Sequence, residues 1–413
     1  MEVRNDLIAY LFRREFAKMV AVISRKFGLQ HIEIAEDIVS DTFLVATESW
    51  NKNGVPANPT AWLYLVARQK AFHHFRRTQV FANKIIPALK DSEHSLVEIE
   101  EIEFSNENIR DSELQMMFAI CNPAIASEAQ IGLALRILCG FGIDEIAEAF
   151  LTSKETINKR LFRAKEKLRT EKIKMEFPAD WQINARLDNV LHIIYLLFNE
   201  GYCSSTQNQS LRKDFCLEAL RLAKQLTEVE ITNQPKTNAL IALMCFHTSR
   251  FDARQTDSNH FILYDNQDKS LWNEDLIHQG GMYLGHAAQG EELSSYHLEA
   301  GIAFWHSIKE DTIFKWENIL CHYDLLLQLN YSPMVALSRI YAVCKVKGNT
   351  EALIEAEKLN LTSNHFYFTL LGELYTGIDN CKAKNMFLSA LGLAKSQIDQ
   401  MTIRHKIDRL SRQ

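Results

Sequence analysis

Between Gly142 and Arg169 the chain reads GIDEIAEAFLTSKETINKRLFRAKEKLR, and this stretch leaves little freedom in what it can fold into. Glycine is a tolerated N-cap, so a first helix starts at Gly142, with Asp144 and Glu145 in a first turn where the helix dipole favours negative charge. Ile146, Ala147 and Phe150 give it an apolar face. Thr152 restarts the chain, with Glu155 three residues on to complete a capping box. In the second helix Ile157, Leu161, Ala164 and Leu168 recur at helical spacing and must face a core. The opposite side carries Glu155, Thr156, Lys159 and Arg163, flanked by Asn158 and Arg160, with Thr152 and Ser153 at the turn. Such side chains donate to phosphates and base edges, so the pattern is a helix-turn-helix suited to a DNA major groove. A helical hairpin with merely solvated charges carries the same spacing, and the upstream sequence has to decide between them.

Upstream, Asn58 to Arg77 reads NPTAWLYLVARQKAFHHFRR. Asn58 is an N-cap and Pro59 takes the first helical position, where a missing amide hydrogen costs nothing. Trp62, Leu65, Val66 and Phe72 are expected to form the buried stripe. The remaining face interleaves Arg68, Lys70, Arg76 and Arg77 with His73, His74 and Phe75. Cations track phosphate while rings stack on unpaired bases, which suits single-stranded or melting nucleic acid. Taken alone, this helix reads better as a plain amphipathic helix with a wet basic face.

Together these blocks resemble a known family. Glu33 to Trp50 (EIAEDIVSDTFLVATESW), the loop Asn51 to Ala57, the NPTAWLYLVAR helix with Arg76 and Arg77, and the RLFRAKEKL ending of the helix-turn-helix are similar to the two conserved regions of an extracytoplasmic-function (ECF) sigma factor of the sigma-70 family. The order and separation also fit. The resemblance implies an all-α protein: a first sigma region over residues 1–80, a linker over 81–112, a second region over 113–176, and a helical extension over 177–413. It implies core RNA polymerase and promoter DNA as partners. Glu36, Asp37 and Asp41, expected to be exposed, would dock on polymerase. Asn51, Asn53, Trp62, Arg68, Lys70, His73, Arg76 and Arg77 would hold the minus-ten element. Thr152, Ser153, Glu155, Thr156, Asn158, Lys159, Arg160 and Arg163 would read the minus-thirty-five element. The pattern departs at Gln69 and His73, where members usually carry Asn and Asp.

Between the two blocks, Asp91 to Glu113 is rich in acid (Asp91, Glu93, Glu98, Glu100, Glu101, Glu103, Glu107) and poor in strong helix signals. It is expected to be a mobile anionic tether, suited to the basic channel of the polymerase or simply solvated.

Beyond Phe177 the composition shifts, with Pro178 at the expected boundary, and everything after reads as helix. Val190 to Gly201 is almost continuously apolar and should be buried, with Leu211 to Leu226 and Thr237 to Thr248 following. Asn199, Glu200 and Tyr202 at its end read as capping and packing groups, with a ligand or docking role as the alternative. From Trp316 the helices Glu317–Leu329, Pro333–Val346, Thr350–Leu359, His365–Tyr375 and Asp379–Ala394 alternate with turns at Asn330, Gly348, Asn360 and Gly377. Their period resembles that of tetratricopeptide pairs, which stack into a concave surface for a protein partner. With this tail, the chain resembles the ECF subgroup whose helical extension modulates sigma activity in place of a separate anti-sigma factor.

Composition excludes several classes. A chain of 413 residues needs more than one domain. A net charge of -6 excludes a uniformly basic nucleic-acid binder but not binding by patches, since basic residues concentrate in Arg68–Arg77 and Lys154–Lys174. No apolar run reaches membrane-spanning length and MEVRNDLIAYLFRREF lacks a signal pattern, so a cytoplasmic protein is expected. The eight cysteines form no CxxC pair, so neither zinc nor a disulfide framework is expected. His286, His297, His306, Glu291, Glu292, Asp265, Asp268 and Asp275 cluster in sequence without HExxH spacing, and GHAAQGEELSSYH reads as a loop. No cofactor and no catalysis are expected. The remaining alternative is a non-sigma helix-turn-helix regulator with a sensing tail, which would have no use for Glu33 to Arg77.

Overall fold

The structure is a computed structural model and describes residues 2–85, 102–150, 152–203, 209–254, 262, 264–395 and 397–410. Among them are eighteen α-helices and no strand. The chain divides into two compact units, Met1–Thr232 and Asn233–Gln413.

In the first unit, α1 (Glu2–Phe27) is the central rod, packed against α2 (Ile32–Asn53), α3 (Pro59–Ile85) and α4 (Asn106–Ile120). Phe16, Met19, Val20 and Ile23 of α1 are fully buried, and Phe12 meets the Phe43 ring of α2 at 5.0 Å. Gly54, at φ +83°, ends α2 by donating its amide to the Trp50 carbonyl, a conformation that strains any residue with a Cβ. The α2 helix therefore runs through Asn51 and Asn53, and the connecting loop is shorter than the expected Asn51–Ala57. Asn58 caps α3 as expected, its Oδ1 accepting from Ala61 N at 3.0 Å.

The buried stripe of α3 differs from the expected one. Leu63, Ala67 and Ala71 are fully buried at i, i+4, i+8, while Leu65 is 44% exposed and Trp62, Val66 and Phe72 are half-buried. Small residues at this seam let α3 approach its neighbours closely, and the larger side chains are left to its flanks.

The expected tether is corrected in its second half. Residues 91–101, with Asp91, Glu93, Glu98, Glu100 and Glu101, lie outside the described residues. From Asn106 the chain is helix: Ser105 accepts from Asn108 N, and Ile109, Leu114, Met116 and Met117 are buried. Glu113 is also buried, accepting from Gln225 at 2.9 Å with Arg221 at 3.5 Å. Its carboxyl is pushed up by burial, against the pull of Arg221. Acidic composition hid an amphipathic helix whose buried acid has partners more than a hundred residues away.

Next, α5 (Ser127–Leu133) continues into a π-helical turn, Ala134–Leu138, then α6 (Ile143–Ala149) and α7 (Lys154–Thr170). The helices α8 (Asp180–Cys203) and α9 (Gln209–Gln225) complete this unit. Asn189 bonds the Gln130 amide oxygen at 3.0 Å and the Cys121 carbonyl, Arg186 reaches the Phe118 carbonyl, and Arg221 reaches the Leu138 carbonyl at 2.8 Å. The geometric division thus falls at Thr232, well beyond Pro178. Asn199, Glu200 and Tyr202 sit inside the last turns of α8, where Tyr202 stacks on Phe198 at 5.5 Å.

In the second unit, α10 (Pro235–Ser249) is buried on nearly all sides and packs against α11 (Glu274–Ala287) and α12 (Ser295–Ser307). A Cβ on Gly280 would meet the Phe246 ring at 2.7 Å, so glycine sets the close approach of α11 to α10. His286 lies in the last turn of α11 and His297 in the first turn of α12, so only part of GHAAQGEELSSYH is loop. The remaining helices are α13 (Ile313–Leu329), α14 (Pro333–Lys347), α15 (Asn349–Leu359), α16 (His365–Tyr375), α17 (Asn380–Leu393) and α18 (Gln397–Leu410). Each packs on the next, and α14 also reaches α16. Their turns fall at the positions marked by Asn330, Gly348, Asn360 and Gly377.

Candidate nucleic-acid and polymerase interface

The helix-turn-helix forms as its sequence dictates. Glu145 accepts from the Gly142 amide at 2.7 Å, closing the start of α6. Ser153, rather than Thr152, is the N-cap of α7, accepting from Thr156 N at 3.2 Å. Both residues are good caps, and the chain uses the one adjacent to the first helical residue. Ile157, Leu161, Ala164 and Leu168 are buried as expected.

The outward face of α7 presents Ser153, Glu155, Thr156, Asn158, Lys159 and Arg163, all exposed, with Thr152 half-buried beside them. Neither Lys159 nor Arg163 has an ion pair among the described residues, so both cations are available to an anionic partner. Arg160 is more constrained: Glu128 holds it at 3.1 Å, and its guanidinium lies 5.6 Å from the Phe150 ring.

In the N-terminal block, Asn51, Asn53, His73, Arg76 and Arg77 are exposed. Trp62 is half-buried against Trp50 at 5.5 Å, which fixes one face of its ring. Arg76 lies over Phe72 at 5.9 Å, and Arg68 and Lys70 are half-buried along the same helix. Phe75 is not available for base stacking. Its ring stacks on Phe27 at 3.5 Å and meets His31 at 5.5 Å, so it joins α3 to α1.

The acidic face of α2 needs one correction. Its sequence predicts an exposed Glu36, yet that residue is 5% exposed, ion-paired to Arg136 at 3.1 Å and to Lys165 of α7. A helix rotates about 100° per residue, so Glu36 and Asp37 cannot share one outward stripe. Asp37 and Asp41 are exposed, and Lys70 reaches Asp41 at 3.6 Å. The outward stripe continues through Leu44, 62% exposed, and Glu48. Sequence reasoning passes over both, although i, i+4, i+7, i+11 spacing from Asp37 is there to find.

A second link crosses between the blocks. Arg13 of α1 bonds Glu145 of α6 at 2.6 Å and lies over the Phe141 ring at 4.2 Å. Arg136 also donates to the Phe141 carbonyl at 3.2 Å. The two blocks are therefore latched at Glu36 and at Glu145, through partners a hundred or more residues apart.

Residues 11–80 match the family described as Sigma-70 region 2. The chain belongs to the sigma-70 family. Residues 186–288 of this sigma-70 family protein match a second family, described as a family of unknown function (DUF6596). It is also similar to an uncharacterised protein of Rhizobium meliloti (strain 1021), 31% identical over 390 residues that cover 92% of this chain and 91% of the relative. No solved structure matches it. No helix among the described residues is long and apolar enough to cross a membrane.

Proposed function

We propose that this sigma-70 family protein is an ECF-type sigma factor that directs core RNA polymerase to promoters recognised at two points. The observation that carries this reading is the pairing, in one chain, of a sigma-70 region 2 with an α7 face whose Lys159 and Arg163 are free of ion pairs among the described residues. In this reading Asp37 and Asp41, with Leu44 and Glu48 beside them, form the polymerase-docking stripe. Asn51, Asn53, Trp62, Arg68, Lys70, His73, Arg76 and Arg77 hold the melted minus-ten strand. The α7 face reads the minus-thirty-five element. The work is binding and strand separation, with no covalent step. The second unit, whose helix pairs resemble tetratricopeptide repeats, modulates that activity.

Promoter use then requires the two latches to open. The two elements lie about 25 base pairs apart, roughly 85 Å along the duplex at about 3.4 Å per step. A compact body of 232 residues has a radius of gyration of about 17 Å, so it is roughly 45 Å across. A closed first unit cannot span both elements. Glu36–Lys165, Glu36–Arg136 and Arg13–Glu145 are the ion pairs that must break.

Docking is tested by co-purification of core polymerase with the full chain and with Asp37→Arg plus Asp41→Arg. Charge reversal is expected to reduce recovered polymerase at least tenfold. Undiminished recovery would remove α2 from the docking surface.

A further inference from the structure

Of the buried polar atoms of the second unit that have no hydrogen-bond partner among the described residues, three gather around one ring. They are Arg250 Nε, Trp272 Nε1 and His306 Nδ1. The Tyr264 ring lies 5.5 Å from the Arg250 guanidinium carbon, 6.2 Å from the Trp272 ring and 4.9 Å from the His306 ring. Lys315 Nζ is 5.3 Å from the same ring and donates to the Tyr264 hydroxyl at 2.7 Å. That hydroxyl donates in turn to the His306 carbonyl at 3.0 Å.

The cluster is cationic, and its two cations are buried. Arg250 is 6% exposed and Lys315 is 1% exposed. Among the described residues no carboxylate forms an ion pair with either; Lys315 is held by neutral oxygens of Tyr264, Ile308 and Glu310. Burial pulls the Lys315 ammonium down to about 8 despite help from Asp311. Burial, then Arg250 and Lys315, pull His306 down to about 3, so its ring is neutral and able to offer one N–H. Two buried charges with no ion-paired carboxylate among the described residues are costly, and buried donors left without a partner are rare enough to call for an acceptor.

We propose that Arg250, Lys315, His306 and Trp272 form a binding site for the phosphate group of a small phosphorylated molecule. Two cations balance a dianion, the Arg250 fork suits bidentate contact with a tetrahedral oxyanion, and Trp272 and His306 add neutral donors. Arg250, Tyr264 and Trp272 fall within the stretch 186–288 matched by the family of unknown function, so the site would be that segment's binding activity, completed by α12 and α13.

The test is calorimetric titration of the full chain with inorganic phosphate, with succinate and with sodium chloride at matched ionic strength. Saturable one-to-one binding of phosphate is expected, with none for chloride and at least tenfold weaker binding of succinate. Arg250→Gln should abolish phosphate binding while far-UV circular dichroism stays that of the parent. If that variant fails to fold, Trp272→Phe, which removes one donor and keeps an aromatic ring, should still weaken phosphate binding severalfold. Absence of saturable phosphate binding by the parent would overturn the proposal. So would phosphate binding that both variants leave unchanged, and tighter binding of succinate would overturn the assignment to phosphate.

Discussion

Lys159 and Arg163 stand one helical turn apart on α7 and face outward without ion pairs among the described residues, so their charge is open to an anionic partner. Replacing both with Ala is expected to cost about 1–3 kcal/mol for each base-reading side chain removed. A residue that touches only phosphate would instead lower the salt slope by about one. Footprinting over a salt series separates these outcomes, and unchanged footprints would take α7 off the promoter. His306 supplies a second residue-level prediction. Its folded pKa, about 3, lies below the unfolded value near 6.5, so the folded state binds fewer protons between those limits. Its contribution is complete above about pH 6.5 and is lost as pH falls toward 3, at no more than about 1.4 kcal/mol per unit. In phosphate-free buffer, His306→Asn should flatten the fall in melting temperature over that range. An identical slope in parent and variant would contradict the burial of a neutral ring beside Arg250 and Lys315.

At the scale of elements, Glu36 is decisive, because one carboxylate holds Arg136 and Lys165 on the far side of the helix-turn-helix. Removing one partner of a buried pair costs about 3–5 kcal/mol, since the others stay desolvated. Glu36→Gln should therefore loosen the tie between α2 and α7, seen as a larger radius of gyration in small-angle scattering. An unchanged radius would mean that the Arg13–Glu145 latch and the apolar packing suffice. The sequence made α6, α7 and the capped starts of α3 and α7 legible, because caps and i, i+4 apolar spacing are local signals. It did not reveal the partner of Glu36. An acid on an acidic helix looks solvated until a distant basic helix is placed against it. The same applies to α4, where Glu113 lies among acids in sequence but beside Arg221 and Gln225 in space. Phe75 was legible as an aromatic among cations, whereas its stacking on Phe27 was not, since α1 carries no local sign of where it meets α3.

For the whole molecule, the bonds from Arg186, Asn189 and Arg221 make α8 and α9 part of the first unit. A chain ending near Glu176 would leave Glu113 without Arg221 and Gln225 and uncover the apolar surface they help to close. A chain ending at Thr232 is expected to melt cooperatively, and one ending at Glu176 to melt lower and more broadly, as followed by circular dichroism. Equal melting would move the boundary back to Pro178. Promoter-directed initiation is tested most directly by run-off transcription on fragmented genomic DNA from the same organism. With core polymerase and the full chain, transcripts should begin downstream of one shared two-element motif and disappear with Lys159→Ala plus Arg163→Ala. Transcript levels no higher than those from core polymerase alone would contradict a sigma role for this chain.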